Sequence, residues 1–134
     1  MSDAAAAPSI LVIDDDPDFR MPLVLVLQGE GYRVRWAANG DEGCRLAGEE
    51  PPDLILLDFM MPGKNGFDAC VELAESPRLR HIPVLALTAF GRNIGEIYGL
   101  PASQVPPNIR ECLEKPVELN VLLERVASAI RVGS

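Results

Sequence analysis

Nothing in this sequence resembles a membrane anchor. No apolar run approaches the ~18 residues that a spanning helix needs, and the longest candidate, residues 21–27, is interrupted by Pro22. The first eight residues hold no basic segment and no long apolar core, so they do not read as a secretory signal. Basic runs are missing as well. Twenty acidic residues stand against twelve basic ones, a formal charge of −8, whereas a duplex-binding protein needs a dense basic patch. Neither membrane nor direct nucleic-acid contact is expected. Cysteine is scarce and unpatterned: Cys44, Cys70 and Cys112 are odd in number and lack CxxC spacing. That excludes a disulfide framework and a zinc site and suits small buried thiols in a reducing cytoplasm. Aromatic residues make up 5%, and Tyr32, Trp36 and Tyr98 read as packing residues. The single histidine, His81, reads as a surface residue ahead of a strand. Neither GxGxxG nor GxxxxGK(S/T) follows the first apolar run, which argues against a nucleotide or dinucleotide enzyme.

What remains is an ordinary globular composition, 48% apolar and 24% charged over 134 residues. A chain of this length buries roughly two thirds of its unfolded surface and needs no covalent staple. One domain over residues 9–131 is expected, after a disordered lead (1–8) and before a short tail (132–134). SILVI (9–13) and DLILL (53–57) are unbroken apolar runs that suit strands buried on both faces, as does IPVLAL (82–87). YRVRW (32–36) alternates and suits an edge strand, where Arg33 and Arg35 would discourage edge-to-edge pairing. IRECLE (109–114) is a weaker strand. Asp16 and Pro17 mark a helix start, as N-cap and first helical residue, and that helix runs to about residues 29–31 with Phe19, Leu23, Val26 and Leu27 on one face. Pro22 inside it should cost stability or bend it. Asn39-Gly40 reads as a turn before a helix at 41–48, a further helix covers 66–75, and the last spans 118–131 with Leu119, Leu122, Leu123, Val126, Ala129 and Ile130 as its apolar face. Residues 90–108 hold too many Gly and Pro for a long helix. Five strand–helix repeats with one degraded helix predict an α/β fold, a doubly wound parallel sheet with helices on both faces.

Function in such a sheet sits beyond the carboxyl ends of the strands. The first strand ends at Asp14, Asp15 and Asp16, the third at Asp58, the fourth at Thr88 and the fifth at Lys115. Carboxylates a few Å apart repel and call for a compensating cation. Lys115 supplies one charge, and few carboxylates with room for water suit Mg²⁺ better than a Ca²⁺ cage. A carboxylate beside these charges can attack phosphorus and form an aspartyl phosphate, with a hydroxyl donating to a phosphoryl oxygen. Asp58, central in the sheet, is the candidate nucleophile, and Asp16 is assigned to capping.

With these residues in place the sequence resembles the receiver domain of bacterial two-component response regulators, a flavodoxin-like fold with strand order 2-1-3-4-5. The matching segments are ILVIDDDPDFR (10–20), LILLDFMMPGKNGF (54–67), IPVLALTA (82–89) and EKPVE (114–118). The resemblance implies that Asp58 accepts a phosphoryl group from a phosphohistidine on a histidine kinase or histidine phosphotransfer protein. It implies Mg²⁺ ligation by Asp15, Asp58 and the backbone carbonyl of Met60, with Asp14 acting through a water. Thr88 and Lys115 would contact the phosphoryl group, and the Lys115–Pro116 bond would be cis. The domain would then be a self-modifying phosphoacceptor rather than an enzyme, switching the surface around the fourth and fifth strands to control an unknown downstream protein. Apolar Met60 and Phe90, at positions that influence water attack in the family, imply slow self-dephosphorylation.

Two departures stand out. Cys112 occupies the position where the family carries Tyr or Phe, leaving Tyr98 or Phe90 as candidate substitutes, and the connection from Thr88 to Lys115 is long and rich in Pro and Gly. They motivate an alternative, a receiver-like binding module that acts without phosphate. A haloacid-dehalogenase-type phosphatase is a third reading, since Asp14-x-Asp16 fits its DxD pattern, but Asp18 stands where that motif expects Thr or Val and the chain is short for that fold.

Overall fold

The computed structural model describes residues 7–59, 66–88 and 99–133. Five parallel strands lie in the order β2-β1-β3-β4-β5. They are β1 (Ser9–Ile13), β2 (Arg33–Ala37), β3 (Leu54–Asp58), β4 (Val84–Thr88) and β5 (Ile109–Glu114). Four α-helices are present among the described residues: α1 (Pro17–Gly29), α2 (Gly40–Glu49), α3 (Gly66–Glu75) and α4 (Leu119–Gly133). A short 3₁₀ turn, Ala102–Gln104, precedes β5.

The three central strands are buried throughout, which is why they read as continuous apolar runs. Successive side chains of a strand point to opposite faces, so each central strand feeds two cores. Ile10, Val12, Leu54, Leu56, Leu85 and Leu87 pack with Leu23, Val24 and Leu27 of α1 and Leu122 and Val126 of α4. Leu11, Ile13, Ile55, Leu57, Val84 and Ala86 pack with Cys44 and Ala47 of α2 and Ala69, Cys70 and Leu73 of α3.

Local signals set the helix starts. Asp16 is extended (φ −95°, ψ 107°) and accepts from the Asp18 N–H at 2.9 Å, with Pro17 in the first turn. Pro22 sits inside α1, on its exposed side. Asn39 proves to be a cap and not merely a turn residue: it accepts from the Glu42 N–H at 2.8 Å, while Glu42 accepts from the Ala38 N–H at 3.1 Å, so α2 begins at Gly40.

Several expectations change. Trp36 is 42% exposed, because β2 is the edge strand of the sheet among the described residues and leaves its outer side uncovered by a neighbouring strand. Leu119 is 44% exposed, because it opens α4 one turn before the helix reaches the core at Leu122. Arg35 does not project from the edge; its guanidinium donates to the Leu46 and Glu50 carbonyls and so caps the end of α2. Cys44 and Cys70 are buried thiols as read, but Cys112 is only half-buried. Burial pushes the Cys70 thiol up, so it stays protonated and inert. Ala7 and Pro8, read as part of the lead, accept through their carbonyls from Arg33, whereas residues 1–6 lie outside the described residues. The last helix continues to Gly133, two residues past its expected end.

Candidate functional site

The carboxyl ends of β1, β3 and β5 bring together four of the singled-out side chains, Asp14, Asp15, Asp58 and Lys115. Asp14 leaves β1 fully buried and is held on three sides. Its N–H donates to the Ala37 carbonyl (3.1 Å), its Oδ1 accepts from the Asp16 N–H (2.9 Å), and its own carbonyl accepts from Arg20 Nη1 (2.8 Å). Asp58 ends β3 and is also buried, while Asp15 is exposed. Carboxylate oxygens of Asp14, Asp15 and Asp58 lie within 4.8 Å of one another.

Lys115 follows β5. Its N–H donates to the Thr88 carbonyl at 2.7 Å, which registers β5 against β4 at the site. Its Nζ stands 3.4 Å from Asp14 Oδ2 and 3.4 Å from Asp58 Oδ2. The Lys115–Pro116 bond is cis, as expected. Thr88 is buried at the end of β4, one residue past the Asp58–Leu87 register pair. Asp16 caps α1 and is absent from the acidic cluster. Met60, Phe90 and Tyr98 fall outside the described residues, and with them the carbonyl ligand, the lifetime positions and the aromatic substitutes. Cys112 pairs with Ala86 across the β4–β5 ladder and packs against the α2–α3 core.

Two participants are not visible as such in the sequence. Phe19 stands out there only as an apolar residue of α1, yet its ring centroid lies 4.2 Å from Lys115 Nζ. Arg20 ties the start of α1 to the end of β1. No spacing rule points to either; both depend on how α1 returns over the strand ends.

Burial is the main cause that raises the Asp14 carboxyl above its ordinary 3.8. Repulsion from Asp58 adds to it, while the Asp16 N–H and Lys115 oppose it. A folded carboxyl that holds its proton more tightly than the unfolded one contributes stability that is fully present below the ordinary value. That contribution is lost as pH rises through the raised value. Asp14→Asn keeps an oxygen for the Asp16 N–H and removes the charge. In metal-free buffer it is expected to unfold at higher urea than the wild type at neutral pH, the advantage fading toward about pH 3. Urea titrations at several pH values measure this, and an advantage that persists unchanged at low pH would contradict the assignment.

The donor set fits a hard divalent ion: three carboxylates offer oxygens only, one of them solvent-facing, and there is no sulfur or imidazole in the cluster. The family model described as the response regulator receiver domain matches residues 10–127. The transcriptional regulatory protein AfsQ1 of Streptomyces coelicolor is 37% identical over 94% of this chain, which spans 52% of that protein. A crystal structure of a response regulator from Chloroflexus aurantiacus superposes with TM-score 0.82 at 32% identity, covering 93% of this chain and 98% of that one. The receiver domain of the sensor histidine kinase PA1611 from Pseudomonas aeruginosa superposes with TM-score 0.80 at 27% identity, covering 92% and 98%; its structure has a magnesium ion coordinated in the active-site cleft. This chain belongs to the response regulator receiver domains of two-component systems, with the flavodoxin-like fold of that family.

Proposed function

We propose that Asp58 accepts a phosphoryl group from the phosphohistidine of a histidine kinase or histidine phosphotransfer protein, with residues 9–131 as the working unit. The observation that carries this reading is the juxtaposition of Asp14, Asp15 and Asp58 with Lys115 Nζ 3.4 Å from both buried carboxylates, at the carboxyl edge of a parallel sheet. Asp58 supplies the attacking oxygen. Lys115 meets a phosphoryl oxygen with its positive charge, and the Thr88 hydroxyl donates to another. Asp14, Asp15 and Asp58 are the residues that would hold Mg²⁺, and the ion would offset negative charge on the phosphoryl oxygens. The modified domain then alters the surface around β4 and β5 and so controls binding of a downstream protein. The site of action is the cytoplasm, without direct contact to nucleic acid or membrane; among the described residues no helix is long and apolar enough to cross a membrane.

The test is intact mass after incubation with acetyl phosphate and Mg²⁺. One hydroxylamine-labile phosphoryl group per chain, mapped to Asp58, is expected. No uptake from acetyl phosphate or from a phosphohistidine donor, with no NMR response to Mg²⁺ and beryllofluoride, would overturn the proposal and leave a phosphate-independent binding module.

A further inference from the structure

We propose that Phe19 is a positioning residue for the phosphoryl-transfer chemistry, its ring face holding the Lys115 ammonium over the two buried carboxylates; the inference rests on the function proposed above. Lysine carries a compact charge on a flexible four-carbon stem that tends to extend toward water. At 3.4 Å the ammonium is in ion-pair reach of Asp14 and Asp58 but longer than a good charge-assisted hydrogen bond. The carboxylates alone therefore do not fix its direction. The Phe19 centroid at 4.2 Å is well inside the ~6 Å range over which a ring quadrupole attracts a cation.

The ring is well placed for this task. Phe19 lies in the first turns of α1, the helix capped by Asp16 and tied to the Asp14 carbonyl through Arg20. The ring is thus referenced to the same strand end that carries the carboxylates. Phe19 also forms a wall of an apolar cavity of about 250 Å³ between α1 and the start of α4, with Pro22, Val26, Val117 and Leu119. Packing on that side leaves the ring room to turn away, yet it keeps its contact with the ammonium. Lost ring–cation attraction frees Lys115 to swing outward, so phosphoryl transfer loses a preorganised charge, while the carboxylates lose a competing cation and bind Mg²⁺ more tightly.

The experiment replaces Phe19 with phenylalanines of increasing fluorination, which drain negative potential from the ring face at nearly constant shape. Three quantities are followed: the phosphorylation rate with acetyl phosphate, the affinity for Mg²⁺ alone, and the NMR shift of the Lys115 ε-methylene, which the ring should shield. The rate is expected to fall stepwise, to about fivefold below the unmodified protein at full fluorination. Mg²⁺ affinity should rise a few-fold over the same series. Phe19→Leu should lie at the slow end and lose the shielding, and Phe19→Trp should recover most of the lost rate. A merely structural role predicts thermal stability changes in Phe19→Leu with a flat fluorination series, and that result overturns the inference. If no variant, nor the wild type, takes up a phosphoryl group, the functional reading fails on its own. The Mg²⁺ series and the ε-methylene shift then still decide the role of Phe19: graded responses uphold it and flat ones overturn it.

Discussion

Asp58→Asn is expected to take up no phosphoryl group and, in metal-free buffer, to resist urea better than the wild type. The two effects have one cause. The carboxylates of Asp14, Asp15 and Asp58 crowd within 4.8 Å, and the Lys115 ammonium stands in ion-pair contact with two of them, Asp14 and Asp58. Two of the three acids are buried, where repulsion is poorly screened. Neutralising Asp58 removes the nucleophile, leaves Lys115 to Asp14 alone, and relieves the repulsion that helps to raise the Asp14 carboxyl. A gain of about 1–2 kcal/mol is reasonable for removing one such conflict. Adding Mg²⁺ should stabilise the wild type through mass action and the variant less, so their midpoints converge. Urea titrations with and without Mg²⁺, paired with intact mass, measure both effects. An Asn variant less stable than the wild type without metal would mean that the Lys115–Asp58 attraction outweighs the crowding.

Gly66→Ala is expected to be more damaging than the same methyl addition at Gly43 or Gly48. A Cβ there would overlap the Phe59 ring and stand 2.8 Å from the Phe59 Cα. The obstacle includes backbone, and that backbone directly follows Asp58, with the Phe59 N–H donating to the Leu87 carbonyl at 3.0 Å. The strand end must shift, so a loss of about 1–3 kcal/mol should come with slower phosphoryl uptake. Gly43 is the informative contrast. The atoms nearest a Cβ there all belong to the Ile13 side chain rather than to backbone, so this buried isoleucine must repack but the strand itself need not move; a smaller stability loss with an unperturbed site is expected. A methyl group on Gly48, in α2, would meet nothing within 4 Å, so Gly48→Ala should stabilise by about 0.5–1 kcal/mol through helix propensity. Chemical denaturation of the three variants ranks them, and equal losses at Gly66 and Gly43 would refute the backbone argument.

The apolar runs and the acids that end them were legible because burial on both faces leaves an unmistakable pattern. SILVI (9–13) became β1, DLILL (53–57) became β3 one residue further on, and IPVLAL (82–87) became β4 from Val84 to Thr88, with Asp14 directly after β1 and Asp58 and Thr88 as the last residues of the other two. The Asp16-Pro17 cap was equally local, since its bond spans two residues. Trp36 and Leu119 misled because an apolar side chain states a preference for burial, not whether another element arrives to cover it. Arg35 misled in the opposite way: a charge on an edge strand reads as a guard, but the end of α2 supplied carbonyls for it to cap.

By itself, then, the sequence determined the alternation of strands and helices, the strand ends and the residue types that meet there, because these depend on neighbours within a few positions. Only the tertiary structure decided that the Lys115 ammonium sits equidistant from two buried carboxylates, that Phe19 covers it, and that Arg20 locks α1 to β1. Those contacts join residues up to 101 positions apart. Their distances are set by how the packed helices return over the sheet, a quantity that no local pattern encodes.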